Sequence, residues 1–154
     1  MSITSGFVAG IILLMCAAAV DPQPAANPAP QQASSRFGTV DLFVDSARTQ
    51  LGAWEMEFKA TTGQVEIVGI ERGDNPDFRD PPYYDPAALK SNRIIVGAFN
   101  ITKDLPAGKT RVARLHVHIS GDQKPVYAVN LVAAGDKDGK RIAAQASFSE
   151  GVGQ

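Results

Sequence analysis

Alternation of apolar and polar residues with a period of two is the feature that most restricts how this chain can fold. It is clearest where Trp54, Met56, Phe58 and Ala60 alternate with Glu55, Glu57 and Lys59. Successive side chains of a β-strand point to opposite faces, so the pattern predicts a strand with one buried and one solvated face. A helix would need apolar residues at every third or fourth position instead.

Six further segments have the composition of strands. They are residues 40–44, 65–70, 94–99, 113–119, 127–133 and 142–148. An Asp-Gly step within residues 135–139 predicts a hairpin turn between the last two segments. Short antiparallel strands that each have one apolar face are best buried as two packed sheets. The sequence therefore predicts an all-β fold, a jelly-roll-like antiparallel β-sandwich of about seven to nine strands, with a closed barrel as the structural alternative.

The N-terminal residues differ from this pattern. Residues 7–20 form an uncharged apolar run that is too short to cross a bilayer as a helix. Its length suits the hydrophobic region of a secretory signal, and Ala17 and Ala19 form an A-x-A cleavage pattern. Cys16 also stands where a lipoprotein signal would have its lipidated cysteine, although Met15 departs from that motif. The sequence predicts export to the cell envelope or the medium, by a cleaved signal or an N-terminal anchor.

The next segment, residues 21–35, has the composition of a spacer. It contains four of the ten prolines and no large apolar side chain, so it cannot bury a hydrophobic face. The predicted organisation is a signal or anchor in residues 1–20, a linker in 21–35, a sandwich in 36–150 and a tail in 151–154.

Composition excludes several classes of function. The chain has 15 Lys and Arg against 16 Asp and Glu, without a basic cluster, which disfavours nucleic-acid binding. One Cys and two His are too few for an internal disulfide or a thiolate zinc site. No nucleophile elbow, phosphate-binding glycine loop or dinucleotide fingerprint is present. We expect no metal, no cofactor and no catalytic residue.

One long connection interrupts the strands. Residues 73–88 contain four prolines, four aspartates and three aromatic residues. Loops of this length are often functional, so the aromatic side chains would either cover an end of the sandwich or face a ligand. The candidate ligand-binding residues are Phe78, Tyr83, Tyr84 and Asp85 in this loop, and Tyr127 on a later strand. A helical turn near residues 85–89, opened by Pro86, is expected within the loop.

Polar strand positions provide a second candidate surface. The candidate partner-binding residues are Glu55, Glu57, Arg114, His116 and His118, which are expected on a solvated sheet face. His116 and His118 would lie about 7 Å apart on one strand, a spacing found in metal sites. Two ligands do not complete a site, and Arg114 on the same face would repel a cation, so a solvated face is the better interpretation.

Several segments resemble bacterial cohesin domains. Residues 51–58 and 65–74 are similar to the small-residue step, alternating strand and V-x-V-x-x-G strand early in that family. Residues 93–99, 106–108, 112–117 and 136–142 resemble its central strand, Gly turn, following strand and final hairpin. A Tyr-Asp-Pro step, which usually closes the alternating strand of the family, occurs here later, at residues 84–86. The resemblance covers residues 38–148.

The resemblance to cohesins implies a β-sandwich and a non-catalytic interaction module. Its partner would be a protein, either dockerin-like or a component of the cell envelope. The alternative is a carbohydrate-binding module that holds a polysaccharide with its loop aromatics, as in the related cellulose-binding modules. No nucleic-acid partner is expected, and membrane contact is expected only through an N-terminal anchor.

Overall fold

A computed structural model describes residues 34–151 of the chain. The strands are β1 (Ser35–Asp45), β2 (Ala53–Thr62), β3 (Gln64–Arg72), β4 (Tyr83–Tyr84), β5 (Arg93–Phe99), β6 (Lys109–Ser120), β7 (Val126–Gly135) and β8 (Gln145–Gly151), with a 3-10 turn at Pro86–Ala88. The predicted signal, nearly all of the linker and most of the tail lie outside the described residues. Ser35, which we assigned to the linker, is the first residue of β1.

The strands form two four-stranded antiparallel sheets. Sheet A has the order β3-β6-β1-β8, and sheet B has the order β4-β5-β2-β7. The predicted β-sandwich is confirmed, and the barrel alternative is wrong because the strands are divided between two sheets.

The core lies between the two sheets, as the alternation predicts. Trp54, Met56, Phe58 and Ala60 of β2 are all buried, as are the inward residues of β1 and β6. Burying a side chain of the size of Leu or Phe stabilises the fold by about 1.5–3 kcal/mol. The residues on the outward face of each sheet are not part of this core.

The predicted hairpin between the last two strands is wrong. The turn itself forms, since Gly139 donates its backbone N–H to the Asp136 carbonyl at 3.1 Å and Asp136 donates to the Lys140 carbonyl at 2.9 Å. Among the described residues, strand pairing extends beyond this turn only as an isolated antiparallel bridge between Gly135 and Arg141. The chain then crosses to the other sheet, where β8 pairs with β1. A local turn signal does not indicate which sheet the following strand joins.

The predicted inward face of β7 is correct only in its first part. Tyr127 is buried, whereas Ala133 is exposed and Ala134 is buried in its place. Met56 pairs with Leu131 but Glu55 pairs with Ala133, so the register shifts by one residue. Such a β-bulge reverses the faces of the residues beyond it.

The long loop after β3 is partly built into the sandwich. Gly73 begins it, and a side chain there would place its Cβ within 3 Å of backbone atoms of Arg111 and Val112 on β6. Tyr83 and Tyr84 form the short edge strand β4 against β5. The expected helical turn follows as a 3-10 turn with Pro86 at its start, and the Asp85 carboxylate accepts the N–H of Ala87 at 2.9 Å.

Candidate partner-binding face

The outward side of sheet B combines apolar and charged side chains from three strands. In β5, Ile95 pairs with Glu57 of β2, Gly97 with Glu55 and Phe99 with Ala53. In β4, Tyr83 pairs with Gly97 on the other side of β5. Because paired residues of neighbouring strands share a face, these side chains form one surface. We call this surface the sheet B face.

Two aromatic side chains dominate the sheet B face. The rings of Tyr83 and Phe99 stack with 6.1 Å between centroids and an interplanar angle of 13°. Tyr83 is 71% exposed and Phe99 is 68% exposed. A folded chain gains little from leaving such rings in water, and exposed apolar clusters of this kind mark interaction sites.

A groove of about 700 Å³ runs beside this aromatic pair. Its lining includes the small residues Ala53, Gly97, Ala133 and Gly135 and the larger side chains of Tyr83, Phe99 and Ile95. A Cβ at residue 97 would lie 2.9 Å from the Trp54 carbonyl oxygen and 3.6 Å from the Glu55 Cβ. Gly97 therefore allows β5 to approach β2 closely and keeps the groove open at its centre.

A charged pair lies beside Ile95 on the same face. Arg93 donates from Nε to Oε1 of Glu57 at 2.9 Å and from Nη2 to Oε2 at 3.0 Å. These hydrogen bonds lower the pKa of Glu57 below its usual range. The pair is solvated, so it fixes the geometry of the two side chains more than it stabilises the fold.

The predicted ligand-binding residues do not form one surface. Phe78 and Tyr127 are core residues, 5% and 8% exposed, and burial raises the pKa of the Tyr127 hydroxyl. Tyr84 is half-buried and packs against the core, while Asp85 caps the 3-10 turn. Of the five, Tyr83 is the aromatic side chain that is open to a ligand. The loop thus covers the sandwich with Phe78 and Tyr84 and presents Tyr83.

The predicted partner-binding residues are also separated. Glu55 and Glu57 lie on β2 of sheet B, whereas Arg114, His116 and His118 lie on β6 of sheet A. The outward sides of the two sheets face in opposite directions, so the expectation of one polar face is wrong. Alternation within a strand shows which residues share a face of that strand, but not which strands share a sheet.

The outward side of sheet A carries most of the ion pairs of the described residues. Asp41 accepts hydrogen bonds from Arg114, at 2.7 and 3.0 Å, and from Arg111, at 3.2 Å. Arg114 in the first place, and Arg111, hold the pKa of Asp41 below its usual range. Arg111 also contacts Asp74, and His116 lies 2.8 Å from Glu71. These charges are paired within the sheet, which leaves few of them free for a partner.

Phe99 and Ile95 are the members of the sheet B face that sequence reasoning missed. Residues 94–99 are apolar at nearly every position, so alternation did not distinguish an inward from an outward face. The register with β2 makes the distinction, since Glu55 and Glu57 lie beside Gly97 and Ile95. An apolar residue directly opposite a glutamate of a neighbouring strand is the signal that could have revealed Ile95, and Phe99 lies four residues further along the same face of β5.

The described residues contain neither a cluster of metal ligands nor a helix that could span a membrane. Between Ser34 and Gly151, no group of three or more His, Cys, Asp or Glu side chains is arranged to hold a metal ion. In the same part of the chain, no helix is long and apolar enough to cross a membrane.

Comparison with known proteins identifies the fold. No protein-family model and no curated protein matches the chain. The cohesin domain of the crystallised CaDoc0917–CaCohA2 complex superposes with a TM-score of 0.55 at 11% identity, covering 73% of this chain and 91% of that chain. A non-cellulosomal cohesin from the hyperthermophilic archaeon Archaeoglobus fulgidus superposes with a TM-score of 0.54 at 14% identity, covering 73% and 75%. The chain has a cohesin-like fold.

Proposed function

We propose that this protein is an interaction module that binds a protein partner of the dockerin kind through the sheet B face. The observation that carries the proposal is the exposed Tyr83–Phe99 pair beside a groove in a sheet of a cohesin-like fold. The CaCohA2 chain that this fold resembles is itself part of a complex with CaDoc0917. On the sheet B face, binding rather than covalent chemistry is the proposed activity.

The composition of the face suits a protein partner. Aromatic residues and arginine are enriched among the residues that contribute most to binding energy. Tyr83 and Phe99 supply the apolar centre, and the Glu57–Arg93 pair supplies a polar rim at the other end of β5. A stable interface buries about 800 Å² on each partner, which requires the strands around the groove as well as the aromatic pair.

A carbohydrate ligand is the alternative, because an exposed aromatic ring can also stack on a sugar. Tyr83 and Phe99 are the exposed rings on this face. The two ligand classes differ in what they need from the rest of the surface. A sugar would bind to the rings and the adjacent groove alone, whereas a protein would also contact Ile95 and the Glu57–Arg93 pair.

The proposal is tested by titrating the full chain calorimetrically with a panel of dockerin domains and, separately, with soluble polysaccharides. Tyr83→Ala and Phe99→Ala are each expected to weaken protein binding by about 30-fold, the size of a typical hot spot. Phe37→Ala is the matched control, since Phe37 is an equally exposed phenylalanine on sheet A. Polysaccharide binding that the Tyr83 and Phe99 variants abolish would replace the protein proposal with the carbohydrate one. Dockerin binding lost only in the Phe37 variant would move the interface to sheet A.

We also propose that the module acts outside the cytoplasm, because residues 7–20 have the length and composition of a signal and Pro-rich residues follow. Expression of the full chain in a bacterial host, followed by mass measurement of the exported protein, tests this. A mass equal to that of a chain that starts at Val20 indicates cleavage after Ala19. A lipid adduct on Cys16 indicates anchoring, and this adduct should be absent from Cys16→Ala. An uncleaved chain in the cytoplasm would contradict both.

A further inference from the structure

The centre of the sheet B face has a gap, because Gly97 has no side chain there. The register places Gly97 of β5 between Tyr83 of β4 and Glu55 of β2. Side chains two residues apart on a strand share a face, so Ile95 and Phe99 flank the gap along β5. All five residues line the groove of about 700 Å³. We call this gap the Gly97 socket.

The spacing of the strands sets the width of the Gly97 socket. Neighbouring strands lie about 4.8 Å apart, so the Cα atoms of Tyr83 and Glu55 are separated by about 10 Å. This width is enough for one unbranched side chain between the tyrosine ring and the carboxylate. The sheet itself requires a glycine at this position, because a Cβ at residue 97 would lie 2.9 Å from the Trp54 carbonyl oxygen. The gap is therefore a fixed part of the fold.

The socket has one charged side, and its charge is not balanced within the described chain. Glu55 is exposed, and no Lys, Arg or His between residues 34 and 151 forms an ion pair with it. The Glu57 carboxylate, in contrast, already accepts two hydrogen bonds from Arg93. Lys59 lies four residues from Glu55, about 13 Å along β2, where salt at physiological concentration screens most of the attraction between exposed charges. Glu55 is thus the carboxylate of this face that is free to pair with a partner.

A ligand of the socket has to match both its apolar sides and its carboxylate. A purely apolar side chain would pack against the aromatic rings but would leave the Glu55 carboxylate beside it without a counter-charge. A lysine or arginine side chain matches both, because its methylene stem packs on apolar surface while its charged end forms a charge-assisted hydrogen bond with a carboxylate. Aromatic rings nearby also attract cations.

We propose that the Gly97 socket binds a lysine or arginine side chain of the protein partner. The alkyl stem would lie against Tyr83 and Phe99, and the charged end would pair with the Glu55 carboxylate. This inference rests on the proposed function, in which the partner is of the dockerin kind and binds the sheet B face. It makes Glu55 a specificity-determining residue, since a partner without a basic residue at this point of the interface would bind less tightly.

Titration of the full chain with blocked pentapeptides, followed by nuclear magnetic resonance, tests the socket directly. The peptides have a central lysine, arginine or norleucine between alanines, and norleucine has an unbranched alkyl stem without a charge. We expect the lysine or the arginine peptide to shift the amide signals of Gly97 and Glu55. It should bind about 5-fold more tightly than the norleucine peptide, the upper part of the range for an exposed ion pair. The cationic peptide that binds more tightly identifies the preferred side chain.

Two results of this titration would overturn the proposal. One is a norleucine peptide that binds as tightly as the cationic peptides, and the other is a chain that binds neither cationic peptide. Both results are obtained on the wild-type chain, so they do not depend on the folding of a variant.

Glu55→Gln removes the charge while it keeps the shape of the side chain. It is expected to reduce the affinity for the cationic peptides to that for the norleucine peptide. Glu66→Gln is the matched control, because Glu66 is also an exposed strand glutamate but belongs to β3 of sheet A, and it should leave the affinity unchanged. An unchanged affinity in Glu55→Gln would overturn the proposal.

Calorimetry with a dockerin domain that binds the full chain separates this inference from the proposed function. Glu55→Gln should weaken that binding by about 5-fold at about 0.1 M sodium chloride, and by less at about 1 M, where the Debye length is only about 3 Å. Dockerin binding that Tyr83→Ala weakens but Glu55→Gln leaves unchanged would overturn the contact with Glu55 and leave the proposed function intact. If no dockerin bound, the proposed function would be wrong, whereas a preference for the cationic peptides would still identify the Gly97 socket as a cation site.

Discussion

Charged side chains on the outward side of sheet A are paired with one another, whereas two aromatic side chains on the outward side of sheet B are left exposed. On sheet A, Asp41 lies between Arg114 and Arg111, so its charge is balanced within the fold. On sheet B, Tyr83 and Phe99 remain exposed and their rings stack on each other. A charged side chain that is paired within the fold contributes to stability, whereas an exposed apolar side chain is available to bind another molecule.

The paired state of Asp41 predicts a pH-dependent stability. Its pKa is lowered in the folded chain, so the stability it supplies is present above its ordinary pKa and is lost as pH falls through the folded value. We expect Asp41→Asn to lower the free energy of unfolding by about 2 kcal/mol at pH 7, since hydrogen bonds to charged groups are lost. The difference from the wild type should shrink as pH falls below the ordinary pKa of an aspartate and through the lowered folded value, because the wild-type carboxylate then becomes protonated as well.

Urea unfolding at pH 7 and pH 3 measures this difference. Asp138→Asn is the control, because Asp138 is exposed and pairs with Lys137 in a solvated turn. It is expected to change stability by less than about 0.5 kcal/mol at either pH. A difference between Asp41→Asn and the wild type that is equal at both pH values would mean that the ion pairs of Asp41 do not contribute.

Strands could be predicted from sequence, but their neighbours could not. Alternation in β2 identified its buried face correctly, because burial of one face is a local property of a strand. The placement of β8 beside β1 rather than β7 depends on packing between residues far apart in the chain. The sheet B face could be predicted only in part for the same reason, because its residues come from strands that are neighbours only in the folded sheet. Tyr83 was recognised as an exposed aromatic candidate, but its neighbour Phe99 is sixteen residues later and joins it only through the sheet.

The short strand β4 depends on the turn that follows it, which leads to a second prediction. The Asp85 carboxylate accepts the Ala87 N–H, and this cap holds the end of Tyr83–Tyr84 against β5. Asp85→Ala is expected to cost about 1 kcal/mol of stability, as for other lost caps. Hydrogen exchange should become faster at the Ala87 amide and in β4, and partner affinity should fall because Tyr83 is less well positioned.

Asp80→Ala, an exposed change in the same loop, is the control for this experiment. It should leave both exchange and binding unchanged. If exchange in β4 stayed slow in Asp85→Ala, the pairing with β5 alone would be sufficient to hold Tyr83.

At the scale of the whole sandwich, the contacts that stabilise the fold are separate from the face that we propose for binding. The inward sides of the two sheets form a single core, and the outward side of sheet A ties β3, β6 and β1 together with ion pairs. The sheet B face has the exposed aromatic pair and the groove of about 700 Å³. A domain built in this way can change its binding face without changing its core, which is consistent with a shared fold at 11–14% identity to the cohesins.

Two phenylalanines on opposite sides of sheet B test this separation. Phe58 is 0% exposed and its ring centroid lies 5.3 Å from that of Tyr127, whereas Phe99 points outward. Phe58→Ala is expected to lower the free energy of unfolding by about 3–5 kcal/mol, because it removes buried contacts and leaves a cavity. Phe99→Ala should change it by no more than about 0.5 kcal/mol. Urea unfolding measures the free energy of unfolding of both variants, and calorimetry measures partner binding by Phe99→Ala. A large loss of stability in Phe99→Ala would show that Phe99 supports the sheet, and its exposure would then no longer favour a binding role.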